Sequence, residues 1–61
     1  MPEVYVYAVQ GRTPEQKRKL CADITQAVVD SFGGSKDSVT VQIVESPPDS
    51  KSKGGVMFSD R

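Results

Sequence analysis

Two seven-residue apolar runs flank a single helical pattern in a chain of 61 residues, and no stretch remains to supply a second helix. The first run, Glu3-Val4-Tyr5-Val6-Tyr7-Ala8-Val9, follows the two-residue period of a strand. Val4, Val6 and Ala8 point to one face; Tyr5, Tyr7 and Val9 point to the other. The second run, Val39-Thr40-Val41-Gln42-Ile43-Val44-Glu45, sends Val39, Val41 and Ile43 one way and Thr40, Gln42 and Val44 the other. Between them, Thr13-Pro14-Glu15-Gln16 is a strong helix start. Thr13 is a good N-cap, Pro14 suits the first helical position, Gln16 can close a capping box, and Glu15 complements the helix dipole. The pattern predicts a helix from about Pro14 to Phe32, ended by Gly33-Gly34 through positive φ. Its inner stripe reads Leu20, Ile24, Ala27, Val28 and Ser31, with Cys21 beside it as a packed thiol. Lys17, Arg18, Lys19, Asp23, Gln26 and Asp30 lie mostly off that stripe.

Strand, long helix and strand make a βαβ unit, and a right-handed crossover sets the two strands parallel. One helix covers one face of a sheet. The other face, carrying Tyr5, Tyr7, Val9 and Val44, needs a second subunit to cover it. Size points the same way, since a 60-residue domain buries only about 60% of its unfolded-chain surface. A single cysteine, Cys21, allows no intrachain disulfide to compensate. After the second strand, Ser46–Lys53 is polar and proline-rich but leads into Gly54-Gly55-Val56-Met57-Phe58. That end reads as a short C-terminal hairpin or extended tail docking on a neighbour. The expectation is therefore one α/β domain over residues 1–61: a single βαβ unit with parallel strands plus that tail, assembling as an oligomer.

Eight basic residues balance eight acidic ones, which argues against a nucleic-acid or polyanion binder. No apolar run approaches a membrane span and no leader resembles a signal peptide, so a soluble cytoplasmic protein is expected. Histidine is absent and a lone cysteine makes no metal cluster. Gly33-Gly34 follows a helix instead of opening one, so it is no phosphate cradle, and no cofactor is expected.

The carboxylates are scattered, without paired-acid spacing, which leaves Pro2 as a candidate base. Removal of Met1 would free a secondary amine. An exposed α-amino group titrates near pH 8, and apolar walls or a nearby cation lower that value towards neutrality. Such an amine can take a proton from carbon beside a carbonyl or attack the carbonyl itself. Within a peptide bond the same nitrogen has no basicity. Arg12, past the far end of the first strand, can hold a substrate carboxylate bidentately. Ten residues of extended chain separate the two by roughly 30 Å. They can share a small substrate only between subunits.

Met1-Pro2, the run Gly11-Arg12-Thr13-Pro14-Glu15-Gln16-Lys17, the βαβ order and Gly54-Gly55 in the tail together resemble the oxalocrotonate (2-hydroxymuconate) tautomerase family. The likeness covers essentially the whole chain. It implies a hexamer or trimer of dimers and an amino-terminal proline as general base. That base shuttles a proton between an enol oxygen and a carbon of a 2-oxo acid. It further implies that Pro2 is the base, that Arg12 binds a small-molecule carboxylate and that Val9 lines the pocket with main chain. Two positions depart from the family pattern. The second family arginine aligns with Thr40, and the pocket aromatic aligns near Lys51. Lys51, Lys53 and Arg61 are candidates to supply the missing cation from a neighbour, and Tyr5 and Tyr7 to offer a phenol. Alternative readings keep Pro2 but change the reaction to hydration, with Glu3 or Glu45 activating water, or to dehalogenation or decarboxylation. A further alternative keeps the scaffold as a non-catalytic assembly protein.

Overall fold

The computed structural model describes residues 1–61. Strand β1 (Glu3–Val9) leads to helix α1 (Pro14–Phe32), and β2 (Thr40–Ser46) returns parallel to β1. The register pairs Glu3 with Thr40, Tyr5 with Gln42, Tyr7 with Val44 and Val9 with Ser46. A 3₁₀ turn at Lys36–Ser38 takes up the segment expected as loop. The N–H of Val39 donates to the Lys36 carbonyl to close that turn, so the second strand begins one residue later than the alternation suggested.

The capping box forms as expected. The Gln16 N–H donates to Thr13 Oγ1 at 3.2 Å, and the Thr13 N–H donates to Gln16 Oε1 at 3.0 Å. Gly33, at φ 81°, donates its N–H to the Val29 carbonyl and ends the helix. The stripe that α1 half-buries is rotated from the expected one. Lys17, Cys21, Ile24, Thr25, Val28 and Val29 are half-buried, whereas Leu20, Ala27 and Ser31 are exposed. On that side of the helix Lys17 Nζ lies 2.7 Å from Glu45 Oε1 of β2.

The tail forms the hairpin alternative. β3 (Ser52–Lys53) pairs antiparallel with β4 (Val56–Met57) across a two-residue turn. Gly54 and Gly55, at φ 61° and 83°, supply the two positive values such a primed turn requires. Two further 3₁₀ turns, Pro48–Ser50 and Phe58–Asp60, pack against each other on either side of the hairpin.

No residue of the protomer is fully buried. Its accessible surface is 4578 Å², against about 3,900 Å² for a compact monomer of this mass. Its radius of gyration is 14.5 Å, against about 10.5 Å for a compact domain of this length. Tyr5 and Tyr7 are 49% and 72% exposed on the sheet face away from α1. No helix is long and apolar enough to cross a membrane.

Candidate active site

The two ends of β1 carry the two residues picked out for chemistry. At its start, the Pro2 carbonyl accepts the N–H of Thr40 at 3.0 Å. That bond extends the parallel ladder one residue beyond β1. Proline has no N–H to contribute, so its nitrogen stays outside the ladder. Pro2 is half-buried while Met1 before it is 95% exposed. Thr40, which stands where the family resemblance implies an arginine, is thus held directly beside Pro2. A neutral, exposed hydroxyl occupies that place.

Glu3 follows Pro2 and accepts a hydrogen bond from the Tyr5 phenol at 2.9 Å. That bond, and then the negative charge of Glu3, raise the Tyr5 pKa above its ordinary value near 10. Within the protomer, therefore, the Tyr5 phenol is committed to a carboxylate, while Tyr7 projects freely from the same face.

Arg12 occupies the opposite end. The turn from Gln10 to Thr13 is fixed at both sides. The N–H of Gln10 donates to the Ser46 carbonyl, and Thr13 is tied down by the capping box. Gly11, at φ 131°, makes the bend between them. Arg12 is exposed, and its Nη1 donates to the Val9 carbonyl at 3.1 Å. Strict alternation sends Val9 to the uncovered sheet face. Val9 lines the Arg12 cleft, where its carbonyl is the acceptor for Arg12 Nη1. The cleft is completed by Val6, Ala8 and Ile43 from the sheet, Glu45 at its end, and Gln16, Lys17 and Leu20 from the helix. Its cavity volume of about 60 Å³ holds a water or two, not a substrate.

The three tail candidates meet one another and not Arg12. Lys51 Nζ lies 5.7 Å and Arg61 Cζ 5.4 Å from the centroid of the Phe58 ring. Arg61 Nη2 donates to the Lys53 carbonyl at 2.8 Å, and the Phe58 N–H donates to the Lys51 carbonyl. None of the three lines the Arg12 cleft. Lys51 and Arg61 thus place their charges over one aromatic ring, and Lys53 joins them only through its carbonyl. Sequence reasoning singled out the cations individually but missed Phe58 as the platform that gathers two of them. It also missed the contact between Lys17 and Glu45, which lie 28 residues apart.

Comparison with known proteins places the chain. The family profile described as tautomerase enzyme matches residues 2–61, beginning at Pro2. A probable tautomerase from Bradyrhizobium diazoefficiens is 48% identical over 61 residues, covering 100% of this chain and 91% of the relative. The crystal structure of a 4-oxalocrotonate tautomerase homologue superposes with a TM-score of 0.94 at 34% identity, covering 100% of this chain and 97% of the other. A heterohexamer 4-oxalocrotonate tautomerase from Chloroflexus aurantiacus superposes with a TM-score of 0.89 at 27% identity, covering 98% and 97%. The βαβ unit, the C-terminal hairpin and the match over nearly the full chain agree: this chain belongs to the tautomerase enzyme family.

Proposed function

We propose that the protein is a tautomerase that needs no cofactor and acts on a 2-oxo acid or its enol. In this reading the amine of Pro2, freed by removal of Met1, is the general base and Arg12 binds a substrate carboxylate. One observation carries the reading. The Pro2 carbonyl is fixed by Thr40 while its nitrogen is left out of the sheet ladder, at a half-buried position. A base held in that way is oriented by its own strand, and partial burial favours its neutral form. The amine takes the enol hydroxyl proton and returns a proton to carbon, so the step is neutral in protons and electrons.

Seven residues of β1, roughly 23 Å of strand, lie between Pro2 and Arg12. A small substrate cannot touch both within a protomer. The complete site therefore lies between subunits of a homo-oligomer, for which we propose a hexamer. The uncovered Tyr5–Tyr7 face and the excess surface support assembly, and the Chloroflexus relative is itself hexameric. Substitution of the second family arginine by Thr40 removes a cation beside the base. Stabilisation of charge developing on the substrate then falls to Arg12 and to cations from a neighbour, for which Lys51, Lys53 and Arg61 are the candidates.

The test is intact mass at the amino terminus together with ketonisation of phenylenolpyruvate by the natural protein, Pro2→Ala and Arg12→Ala. The reading expects Met1 to be absent. Pro2→Ala should lower kcat by about 10²-fold or more, the scale of general base catalysis. Retained Met1 in an active preparation, or equal rates for Pro2→Ala and the natural protein, would sink the proline-base mechanism.

A further inference from the structure

Lys17 and Glu45 form an ion pair to which neither proton transfer nor carboxylate binding assigns a role. The 2.7 Å contact leaves the two side chains 34% and 26% exposed, so it is shielded better than an ordinary surface pair. Both residues line the cleft that Arg12 lines, and Glu45 is the one carboxylate among the lining residues. Arg12 is held there by a single hydrogen bond, to the Val9 carbonyl. The sheet register pairs Ala8 with Glu45 and Val9 with Ser46. The carbonyl that holds Arg12 thus belongs to the residue next to the one opposite Glu45, about 3.3 Å further along the strand. Glu45 itself stands one strand across, about 4.8 Å away; Arg12 and Glu45 line the same cleft, and carboxylate is the partner that the guanidinium fork matches best.

We propose that Lys17 is a positioning residue that occupies Glu45 so that the Arg12 guanidinium stays free for substrate. The inference rests on reading Arg12 as the carboxylate clamp. Glu45 carries the same chemical group as the substrate and is tethered to the cleft, so its effective concentration there far exceeds that of a free ligand. Lys17 reaches it from the second turn of α1 and satisfies it with an ammonium. Removal of Lys17 turns Glu45 into an internal competitor for Arg12. A tie that merely fastened helix to sheet would behave differently. Loss of either partner would then be equivalent, and loss of both would be no better than loss of one.

The experiment uses the processed, assembled protein and phenylenolpyruvate as probe, with kcat and KM resolved. Lys17→Met should raise KM about tenfold or more, the worth of one charge-assisted hydrogen bond, with a much smaller change in kcat. Adding Glu45→Gln to Lys17→Met should bring KM back to within about twofold of the natural value, the usual scatter between independent variants. Lys17→Arg should keep the natural KM. A double variant as impaired as Lys17→Met overturns the positioning role. If circular dichroism shows that Lys17→Met does not fold, Lys17→Gln carries the same comparison with and without Glu45→Gln. Arg12→Ala separates the two readings. If it raises KM and Lys17→Met does not, the positioning role fails and the clamp stands. If Arg12→Ala leaves KM unchanged, the clamp itself is wrong and the positioning role falls with it.

Discussion

Replacement of Tyr7 by aspartate should unfold this protein by taking apart its assembly. Tyr7 lies opposite Val44 on the face that α1 does not cover and is 72% exposed in the protomer. A buried tyrosine contributes about 200 Å², so roughly 140 Å² remains for a neighbouring subunit to cover. At about 25 cal/mol per Å² that is ~3.5 kcal/mol for each protomer, before the cost of placing a carboxylate in an apolar contact. The stability expected of a chain of 61 residues is only about 3–9 kcal/mol. One substitution thus removes a share comparable to the whole. Because the protomer buries no residue fully, it has little to fall back on once alone. Sedimentation velocity and far-ultraviolet circular dichroism over a dilution series should show the natural protein as an oligomer whose melting temperature rises with concentration. Tyr7→Asp should show a fall in mass with loss of helix signal and of tautomerase activity, while Tyr7→Phe, which keeps the apolar area, should retain all three. An aspartate variant of natural mass and melting temperature, or a helical monomer stable at every dilution, would refute the argument.

Two further outcomes can be checked directly. Thr13→Ala removes the N-cap that fixes the turn carrying Arg12. It should cost about 1 kcal/mol of stability, read as a lower urea midpoint with unchanged slope, and should raise KM for a carboxylate substrate as Arg12 loses its setting. The Tyr5 phenol donates to Glu3, and its folded pKa lies above the unfolded value. The stability that bond contributes is therefore fully present below about pH 10 and lost as pH rises through the folded pKa. In an absorbance titration at alkaline pH, Glu3→Gln should move one tyrosine to lower pH. An unchanged curve would show that the bond does not persist in solution.

The local elements were legible because local signals dictate them. Thr13-Pro14-Glu15-Gln16 starts the helix, Gly33 stops it, and of the hairpin and extended tail that Gly54-Gly55 allowed, the hairpin forms. What sequence period alone does not contain is the azimuth of a helix on its sheet. A stripe through Leu20 and one through Lys17 and Cys21 differ by less than a turn, and the contacts that distinguish them, such as Lys17 with Glu45, join residues far apart in the chain. Lys17 read as lying off the inner stripe because its partner is 28 residues away. At the tail, Lys51, Lys53 and Arg61 read as candidate cations for a neighbour's site, and the hairpin folds two of them over Phe58. Val9 shows a subtler limit, since alternation describes side chains and its role at the cleft comes from its carbonyl.

The bond from Thr40 to Pro2 bears on what removal of Met1 would change. The sheet holds Pro2 through its oxygen and makes no use of its nitrogen, while the methionine ahead of it stands in solvent. Backbone pairing is thus indifferent to whether that nitrogen is an amide or an amine. On the reading proposed above, removal of Met1 leaves the acceptor of the Thr40 N–H in place, because that bond uses only the Pro2 oxygen. In the mechanism proposed above, one hydrolysis turns an amide nitrogen into an amine, and the Thr40–Pro2 bond does not involve that nitrogen in either form.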